Sequence, residues 1–284
     1  MRTTPLHRDF GVEVHDVDLT TVTATDGYPE IRRAFEEHSL LLFRDQALDD
    51  PAVLALGTCF GDIENRTDGP VKVSRVSNLL PDGSVLEPDA MRLKDLKANM
   101  LWHTDSTFLP VPALANIITA RVVPSEGGAT ELVSTRAGFE RLPDELKETA
   151  RGAKLRHRLT HSRSKVDPDL AQEGHITKWD ETCWPAVWVN PVTGAEALYI
   201  ASHACGVEGM DDAAGQALID DLTARMVPDD AVYAHQWQVG DVLIWDERAT
   251  LHRGMPWPYA EARELASICV TASDEDGVAM MRAA

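Results

Sequence analysis

The residues best suited to bind a metal are a histidine and an aspartate two positions apart, in the segment Leu101-Trp-His103-Thr-Asp105. On an extended strand, alternate side chains share one face, so His103 and Asp105 could occupy adjacent positions on one ion. The best distant candidate for a third ligand is His252, where the predicted strand 241–246 runs into a loop that ends on this histidine. We therefore predict a metal site formed by His103, Asp105 and His252.

Two imidazoles and one carboxylate on one side of an octahedral ion form the facial triad of non-haem Fe(II) oxygenases. Three coordination positions then remain for a co-substrate and O₂. The His-x-Asp pair alone is weak evidence, because a surface or core histidine paired with a nearby carboxylate gives the same pattern. The metal hypothesis therefore depends on further residues that fit the same chemistry.

Two downstream residues fit a co-substrate with a free carboxylate. Arg263 lies eleven residues after His252, far enough for the chain to turn back on a neighbouring strand, and Thr130 follows Asp105 by 25 residues. A guanidinium binds a carboxylate through two charge-assisted hydrogen bonds, and a hydroxyl adds another. Arg263 and Thr130 are therefore predicted to hold the distal carboxylate of an iron-chelating 2-oxo acid. Arg253 is a competing cation, but it adjoins His252 and should point away.

The elements that must position these residues are mainly strands. Helical spacing of apolar residues predicts helices in the N-terminal part, at 28–37 and 51–60, and then at 135–152 and 211–226. Short apolar runs punctuated by Gly, Pro and Asp predict strands. These strands cover residues 38–45, 71–76, 114–123, 131–134, 155–161, 186–190, 197–201, 231–238, 241–246 and 267–272. Many strands without regular β-α alternation favour a mainly β fold with flanking helices, built on a β-sandwich or jelly-roll core.

Composition and charge limit the class of partner. The chain has 284 residues, with 27 Lys and Arg against 46 Asp and Glu, so its formal charge is −19. Such an acidic field repels phosphate backbones and anionic lipid, so neither nucleic acid nor a membrane is an expected partner. The N-terminus lacks the apolar stretch of a secretory signal, and no segment reaches the roughly 18–20 apolar residues of a membrane span. We therefore predict a cytoplasmic protein.

The chain shows no sign of division into several domains. It contains no internal repeat, low-complexity tract or linker, which predicts a single domain over residues 1–284. The four cysteines form no Cys-x-x-Cys pair and are expected to be reduced and mostly buried thiols. Whether the chain forms a homo-oligomer is left open.

Five short motifs resemble those of a known family. In chain order they are His103-Thr-Asp105, Gly127-Gly-Ala-Thr130, Trp245-Asp-Glu-Arg248, Leu251-His-Arg-Gly254 and Arg263-Glu-Leu265. Their order and intervals resemble the Fe(II)/2-oxoglutarate dioxygenases that include taurine dioxygenase and 2,4-dichlorophenoxyacetate dioxygenase, and the match is closer to the latter branch. The resemblance extends over nearly the whole chain, from Gly11 to about Thr271.

This resemblance implies a double-stranded β-helix core, the jelly roll or cupin-like fold, with an insertion at roughly 155–185 that covers the active site. It implies Fe(II) bound by His103, Asp105 and His252. The co-substrates would be O₂ and 2-oxoglutarate, the latter held by Thr130 and Arg263. The implied reaction hydroxylates a small carboxylate-bearing substrate, aryloxyalkanoate-like or amino-acid-like, and releases succinate and CO₂. Related halogenases lack the carboxylate of the triad, so Asp105 favours hydroxylation or desaturation over halogenation.

The sequence indicates the residues that would bind an acidic small-molecule substrate less clearly than those that would bind the metal and 2-oxoglutarate. Relatives of taurine dioxygenase carry a second arginine four residues after the one that holds 2-oxoglutarate, whereas this chain has Ser267. The remaining candidates for substrate contact are Lys72, Asn99, Ser106 and His203. Two alternatives stay open: a desaturase or oxidative cyclase that uses the same iron centre, and a non-catalytic jelly-roll protein that binds a metal or ligand.

Overall fold

Strands in four sheets form the framework, and helices flank them. The computed structural model describes all residues from 1 to 284. The strands are β1 (Arg2–Pro5), β2 (Val12–His15), β3 (Leu40–Phe43), β4 (Ser74–Ser77), β5 (Ala113–Val122), β6 (Thr130–Ser134), β7 (Lys154–His157), β8 (Thr182–Pro185), β9 (Val187–Val189), β10 (Glu196–Leu198), β11 (Ala204–Val207), β12 (Tyr233–His235), β13 (Val242–Asp246), β14 (Thr250–Gly254) and β15 (Glu264–Thr271). The α-helices are α1 (Tyr28–His38), α2 (Asp50–Phe60), α3 (Met91–Ala98), α4 (Thr135–Glu140), α5 (Asp144–Arg151), α6 (Leu159–Ser164), α7 (Gly174–Thr177), α8 (Asp212–Met226) and α9 (Val278–Ala283).

The largest sheet contains seven strands in the order β1-β2-β3-β13-β5-β15-β4. The smaller sheets have the orders β12-β6-β14, β11-β7-β8 and β10-β9. Neighbouring strands are antiparallel except for the parallel pair β2 and β3. The prediction of a sheet-based fold with flanking helices is therefore confirmed.

The central strands of the large sheet are buried on both faces. Every residue of β3 and β13 is buried, so these strands have continuous apolar sequences instead of alternating ones. Leu41 and Phe43 of β3 pack in one cluster with residues of α1 and α2. Leu40 of β3 packs on the opposite face in a second cluster that includes Leu132 of β6 and Trp245 of β13. Each such side chain contributes about 1.5–3 kcal/mol by burial. The first cluster holds α1 and α2 on the large sheet, and the second holds the β12-β6-β14 sheet against its other face.

The two N-terminal helices begin where the sequence signals predict. The side chain of Asp49 accepts a hydrogen bond from the backbone N–H of Ala52, which caps α2, and Pro51 lies in the first turn. Pro29 occupies the same kind of position in α1. Both helices pack on the large sheet through their apolar faces, so they cover the side of the sheet away from β6.

Helices are more widespread than predicted. α3, α6, α7 and α9 lie outside the predicted helical regions. α3 buries only Leu93 and Ala98 among its eight residues, so its apolar spacing is too sparse to signal a helix. The predicted strand 155–161 is wrong in its second half, because β7 ends at His157 and α6 begins at Leu159. Tertiary contacts between α3, α6 and α7 decide this region rather than local propensity.

Some strands were not predicted from the apolar pattern. They are β1, β2, β8, β11 and β14. β1 is exposed at every position and is one of the two edge strands of the large sheet, so it lacks the buried residues that mark a strand. None of the helices is both long enough and apolar enough to cross a lipid bilayer. All four cysteines are free thiols, but the prediction that most of them are buried is wrong, because Cys183 is exposed and the other three are partly exposed.

Candidate active site

The predicted metal ligands meet where a short bridge joins two segments. His103 and His252 exchange backbone hydrogen bonds with N···O distances of 3.0 and 2.8 Å. His252 lies inside β14, so its predicted place in a loop after β13 is wrong. His103 forms only this isolated bridge and a turn begins at Asp105, so the predicted regular strand through the His-x-Asp segment is also wrong. Pairing of His252 with Leu132 of β6 fixes the bridge to the β12-β6-β14 sheet.

The side chains of the three residues converge on one point. Asp105 Oδ1 lies 3.8 Å from His103 Nε2, and Asp105 Oδ2 lies 3.8 Å from His252 Nε2. The two imidazole ring centres are 4.1 Å apart. One ligand atom from each residue lies within 4.8 Å of the other two. Two imidazoles and one carboxylate in this arrangement fit Fe(II) and leave room for further ligands.

Both histidines are held in the neutral form that binds metals. Burial lowers the pKa of His252 to about 3 and also lowers the pKa of His103. The Nδ1 atom of His103 lies 2.7 Å from the carbonyl oxygen of Leu101, which only accepts, so Nδ1 carries the proton and donates it. The Nε2 lone pair of His103 is thereby left for the metal position.

The carboxylate of Asp105 is fixed by a short chain of hydrogen bonds. Asn116 Nδ2 donates to Asp105 Oδ2 at 2.7 Å, and the Ser267 hydroxyl donates to Asn116 Oδ1 at 2.8 Å. Burial disfavours the ionised form of Asp105, but the two facing histidines and Arg66 outweigh it and lower its pKa. Ser267 therefore helps to orient a predicted metal ligand through Asn116, at the position where taurine dioxygenase relatives have an arginine.

A second buried carboxyl group, that of Glu247, supports Asp105 from the backbone side. Its Oε2 accepts from the Asp105 backbone N–H at 2.9 Å, and its Oε1 accepts from Trp245 Nε1 at 2.7 Å. Burial and the Asp105 charge raise the pKa of Glu247 well above its usual value. The Trp245 ring centre lies 4.7 Å from that of His252. Trp245 and Glu247 thus form a wall that restricts the movement of the metal ligands.

Arg263 immediately precedes β15 and is buried beside a glycine loop. Its Nε and Nη2 donate to the carbonyl oxygen of Gly128 at 3.2 and 2.9 Å, and its Nη1 has no hydrogen-bond partner in the protein. Gly128 has a φ of +68°, and a Cβ there would lie 3.0 Å from Arg263 Nε. Any side chain at Gly128 would therefore be strained and would crowd the guanidinium. Burial lowers the pKa of Arg263 to about 10, so it remains a cation at neutral pH.

One cavity of about 440 Å³ contains the metal-binding groups and Arg263. The predicted site residues that line it are His103, Asp105, His252, Thr130, Arg263, Lys72, Asn99 and His203. Thr130, the first residue of β6, accepts a hydrogen bond from Trp237 Nε1 at 3.0 Å. Lys72 is exposed, whereas His203 is buried with its ring centre 6.3 Å from that of His103. The cavity therefore joins the metal position, the co-substrate groups and three of the candidate substrate contacts.

Ser106 is wrong as a candidate for substrate contact. It is fully buried and does not line the cavity. Its backbone has a φ of +61° in the turn after Asp105. Its hydroxyl donates to Glu64 and accepts from Arg66 Nη2 at 3.1 Å, so both of its hydrogen-bonding roles are used inside the protein.

Arg253, the rival anchor for the co-substrate, lies outside the cavity. Its Nε donates to Glu131 at 2.7 Å, and its guanidinium lies 4.5 Å from the ring centre of Trp102. Alternate residues of β14 face opposite sides, so the neighbour of His252 points away from the site.

Sequence reasoning missed several residues that shape the site. They are Arg66, Asn116, Arg163, Trp237 and Glu247. Only Glu247 carried a local signal, because it belongs to the motif that starts at Trp245. The other four reach the site through tertiary packing from distant segments, so no spacing in the sequence marks them.

The comparisons with known proteins agree with this geometry. Residues 2–269 match the family described as taurine catabolism dioxygenase TauD, TfdA family, and the chain belongs to this family. It is 33% identical over 273 residues to the alpha-ketoglutarate-dependent 2,4-dichlorophenoxyacetate dioxygenase of Cupriavidus pinatubonensis, covering 92% of this chain and 94% of that protein. It is 33% identical over 275 residues to the (S)-phenoxypropionate/alpha-ketoglutarate-dioxygenase of Sphingobium herbicidovorans, covering 91% of each.

Among solved structures, the chain is similar to AAD-2 in complex with Mn(II) and N-oxalylglycine. The TM-score is 0.90 at 29% identity, over 96% of this chain and 98% of that one. The chain is therefore an oxidoreductase, a dioxygenase dependent on Fe(II), O₂ and 2-oxoglutarate, for which alpha-ketoglutarate is the older name. The predicted family and cofactors are confirmed, and the alternative of a non-catalytic binding protein is not supported.

Proposed function

We propose that this enzyme hydroxylates a small aryloxyalkanoate-like carboxylic acid and releases succinate and CO₂. The observation that carries the proposal is the joint position of the triad His103, Asp105 and His252 with Arg263 in one cavity. Relatives that by name act on 2,4-dichlorophenoxyacetate and (S)-phenoxypropionate support an aryloxy acid over an amino-acid-like one.

Each site residue has a role that follows from its contacts. His103, Asp105 and His252 would hold Fe(II), which when bound supplies the O₂ chemistry that couples 2-oxoglutarate decarboxylation to substrate oxidation. Arg263 would bind the distal carboxylate of 2-oxoglutarate through its free Nη1, and the Thr130 hydroxyl would donate to the same group. Desolvation of Arg263 strengthens this charge-assisted contact.

The substrate would occupy the part of the cavity lined by Asn99 and His203. The His203 ring packs 5.0 Å from that of Phe108, which gives this region an aromatic wall suited to an aryl group. Lys72 is exposed and would contribute a long-range positive charge. Substrate placement beside the metal decides between hydroxylation and the alternative desaturation or cyclisation, so product identification separates them.

The proposed architecture is a double-stranded β-helix in a single domain over residues 1–284. The packing of the β12-β6-β14 sheet against the seven-stranded sheet supports this jelly-roll arrangement. Residues 155–185 would form the insertion that covers the site, because α6 within it contributes Arg163 to the cavity. Four free cysteines and the acidic surface support a cytoplasmic location without a nucleic-acid partner.

The test is succinate formation with Fe(II), ascorbate and 2-oxoglutarate in the presence of 2,4-dichlorophenoxyacetate or (S)-2-phenoxypropionate. We expect at least one acid to accelerate succinate formation and to be consumed in equal amount. Arg263→Gln should raise the KM for 2-oxoglutarate at least tenfold, whereas the matched control Arg253→Gln should leave it unchanged. If no aryloxy acid in a broad panel accelerates succinate formation, the proposed substrate class is refuted.

A further inference from the structure

Five cationic side chains line the cavity, and their contacts differ. They are Arg66, Lys72, Arg75, Arg163 and Arg263. Arg263 has the co-substrate role proposed above, and Arg75 is ion-paired with both Asp50 and Glu264. Lys72 is exposed, so water competes for its ammonium group. Arg66 and Arg163 therefore remain as candidates for a well-defined anion contact inside the cavity.

Arg66 is held by two partners in the protein, and its side chain is 42% exposed. Its Nε donates to Glu64, whose side chain is almost completely buried, and its Nη2 donates to the Ser106 hydroxyl at 3.1 Å. The guanidinium also lies 5.4 Å from the ring centre of Phe108. The Nη1 atom of Arg66 has no partner in the protein, but Glu64 offsets its charge and water competes for the exposed guanidinium, so Arg66 offers a weaker anion contact.

Arg163 is different, because it combines an available outer edge with a side chain that is shielded from water. Its side chain is only 12% exposed, and its Nε donates to Asp95 at 2.8 Å. Its Nη1 makes one long contact of 3.4 Å to the Ser162 hydroxyl, and its Nη2 has no hydrogen-bond partner in the protein. The Nη1–Nη2 edge of a guanidinium matches the two oxygens of a carboxylate.

Ser162 also connects Arg163 to the metal centre. The Ser162 hydroxyl donates to the carbonyl oxygen of Leu159 at 2.9 Å, so it accepts both from Arg163 Nη1 and from His203 Nδ1, which is 2.7 Å away. The His203 ring in turn lies 6.3 Å from that of His103. The outer edge of Arg163 is therefore joined through Ser162, by two hydrogen bonds, to the His203 ring that packs beside His103.

From this arrangement we infer that the Nη1–Nη2 edge of Arg163 binds the carboxylate of the organic substrate. The inference rests on the proposed acidic substrate and names the residue that selects it. Ser267 is unable to act in this way, because its hydroxyl is hydrogen-bonded to Asn116. Since Arg163 lies in α6, substrate recognition comes from the segment 155–185 and not from the strand that follows Arg263.

The ion pair between Asp95 and Arg163 allows a test that separates substrate binding by Arg163 from a purely structural role. Asp95 pairs with Arg163 and also lines the cavity, so its negative charge opposes an incoming carboxylate. If Arg163 only supports the fold through this ion pair, Arg163→Gln and Asp95→Asn should have the same effect. If Arg163 binds the substrate, the two variants should shift acid affinity in opposite directions.

The experiment measures binding of 2,4-dichlorophenoxyacetate and of its neutral amide to the anaerobic Fe(II)–2-oxoglutarate enzyme by calorimetry, together with the KM for succinate formation. Arg163→Gln should weaken binding of the acid by about 10- to 100-fold and leave the amide and 2-oxoglutarate within about twofold. Asp95→Asn should tighten binding of the acid by about two- to fivefold. Arg158→Gln, a change of an exposed arginine in the same segment that pairs with Glu181, serves as the matched control and should change nothing.

Equal acid affinity in Arg163→Gln and wild type, or equal losses for acid and amide, would overturn the inference and leave the proposed function intact. Equal losses in Arg163→Gln and Asp95→Asn would likewise assign Arg163 to structure alone. A wild-type enzyme that neither binds the acid nor accelerates succinate formation with it or other aryloxy acids would instead overturn the proposed substrate class, and the inference with it.

Discussion

Trp237 donates its indole N–H to the hydroxyl of Thr130 at 3.0 Å. An indole nitrogen is a donor only, so the Thr130 oxygen accepts and its own hydrogen remains free. Thr130 and Arg263 line the same cavity, so this hydrogen can be donated to the carboxylate that Arg263 binds. Trp237 therefore sets the direction of the Thr130 hydrogen bond without contacting the co-substrate itself.

We expect Trp237→Phe to raise the KM for 2-oxoglutarate by about three- to tenfold, the range of one hydrogen bond, with kcat at saturating 2-oxoglutarate unchanged. Thr130→Val should raise the same KM about tenfold. Because Trp237 acts through Thr130, the double variant should be no worse than Thr130→Val alone. Steady-state kinetics of the four proteins check this, and additive losses would show that Trp237 acts independently.

Asn116 and Ser267 should control metal affinity. Asn116→Ala removes the donor to Asp105 Oδ2, so we expect Fe(II) affinity to fall by about 10- to 100-fold, the usual effect of a lost partner of a metal ligand. Ser267→Ala acts through Asn116 and should cost about two- to fivefold. Competition with a chelator measures both. A larger effect of Ser267→Ala than of Asn116→Ala would contradict the proposed order of the hydrogen-bond chain.

Gly128 should be required for the position of Arg263. Gly128→Ala would place a Cβ 3.0 Å from Arg263 Nε at a φ of +68°, so we expect at least a tenfold loss of 2-oxoglutarate affinity together with about 1–2 kcal/mol of stability. Gly194 is the matched control, because it has a φ of +73° and no atom within 4 Å of an added Cβ. Gly194→Ala should lose similar stability but no 2-oxoglutarate affinity. Equal affinity in both variants would show that Arg263 tolerates the displacement.

Some residues of the site could be predicted from the sequence and others could not. His103, Asp105 and His252 were predicted from residue type, spacing and the family resemblance, and the structure brings their side chains together. Ser106 was misassigned, because only the structure shows that its hydroxyl is held by Glu64 and Arg66. Proximity in sequence to a metal ligand did not imply exposure to the cavity.

In the fold, elements with a strong local apolar pattern were predicted, whereas elements that depend on tertiary packing were not. β3 and β13 were predicted within about two residues at each end, because both are continuous apolar runs that fill the centre of the sheet. α3 and α6 were not predicted, although α6 supplies Arg163 to the cavity. These short helices are stabilised by packing on each other, which local apolar spacing does not record.

His157 should make the stability of the metal-free protein depend on pH. It is fully buried, neither ring nitrogen has a hydrogen-bond partner, and burial lowers its pKa to about 3. An unfolded histidine has a pKa of about 6.5, so below that pH the unfolded state binds the extra proton and stability falls as pH falls. The loss amounts to roughly 2 kcal/mol at pH 5.

We therefore expect His157→Leu to give a shallower fall of Tm between pH 7 and pH 5 than the wild type, in scans of the metal-free protein. The same change at the exposed His175 should leave the wild-type slope intact. An unchanged slope in His157→Leu would mean that this ring gains solvent or a proton acceptor before the protein unfolds.

Above all, we propose that His103, Asp105 and His252 bind Fe(II) in a cavity where Arg263 holds 2-oxoglutarate. Anaerobic addition of Fe(II) and 2-oxoglutarate tests it directly, because chelation of the metal by the 2-oxo acid gives a visible charge-transfer band. We predict the band in the wild type at one iron per chain, its loss together with the iron in Asp105→Ala and His252→Ala, and its recovery in Arg263→Gln only at higher 2-oxoglutarate. A wild type without the band, or a His252→Ala variant that keeps both the band and one iron per chain, would contradict the account.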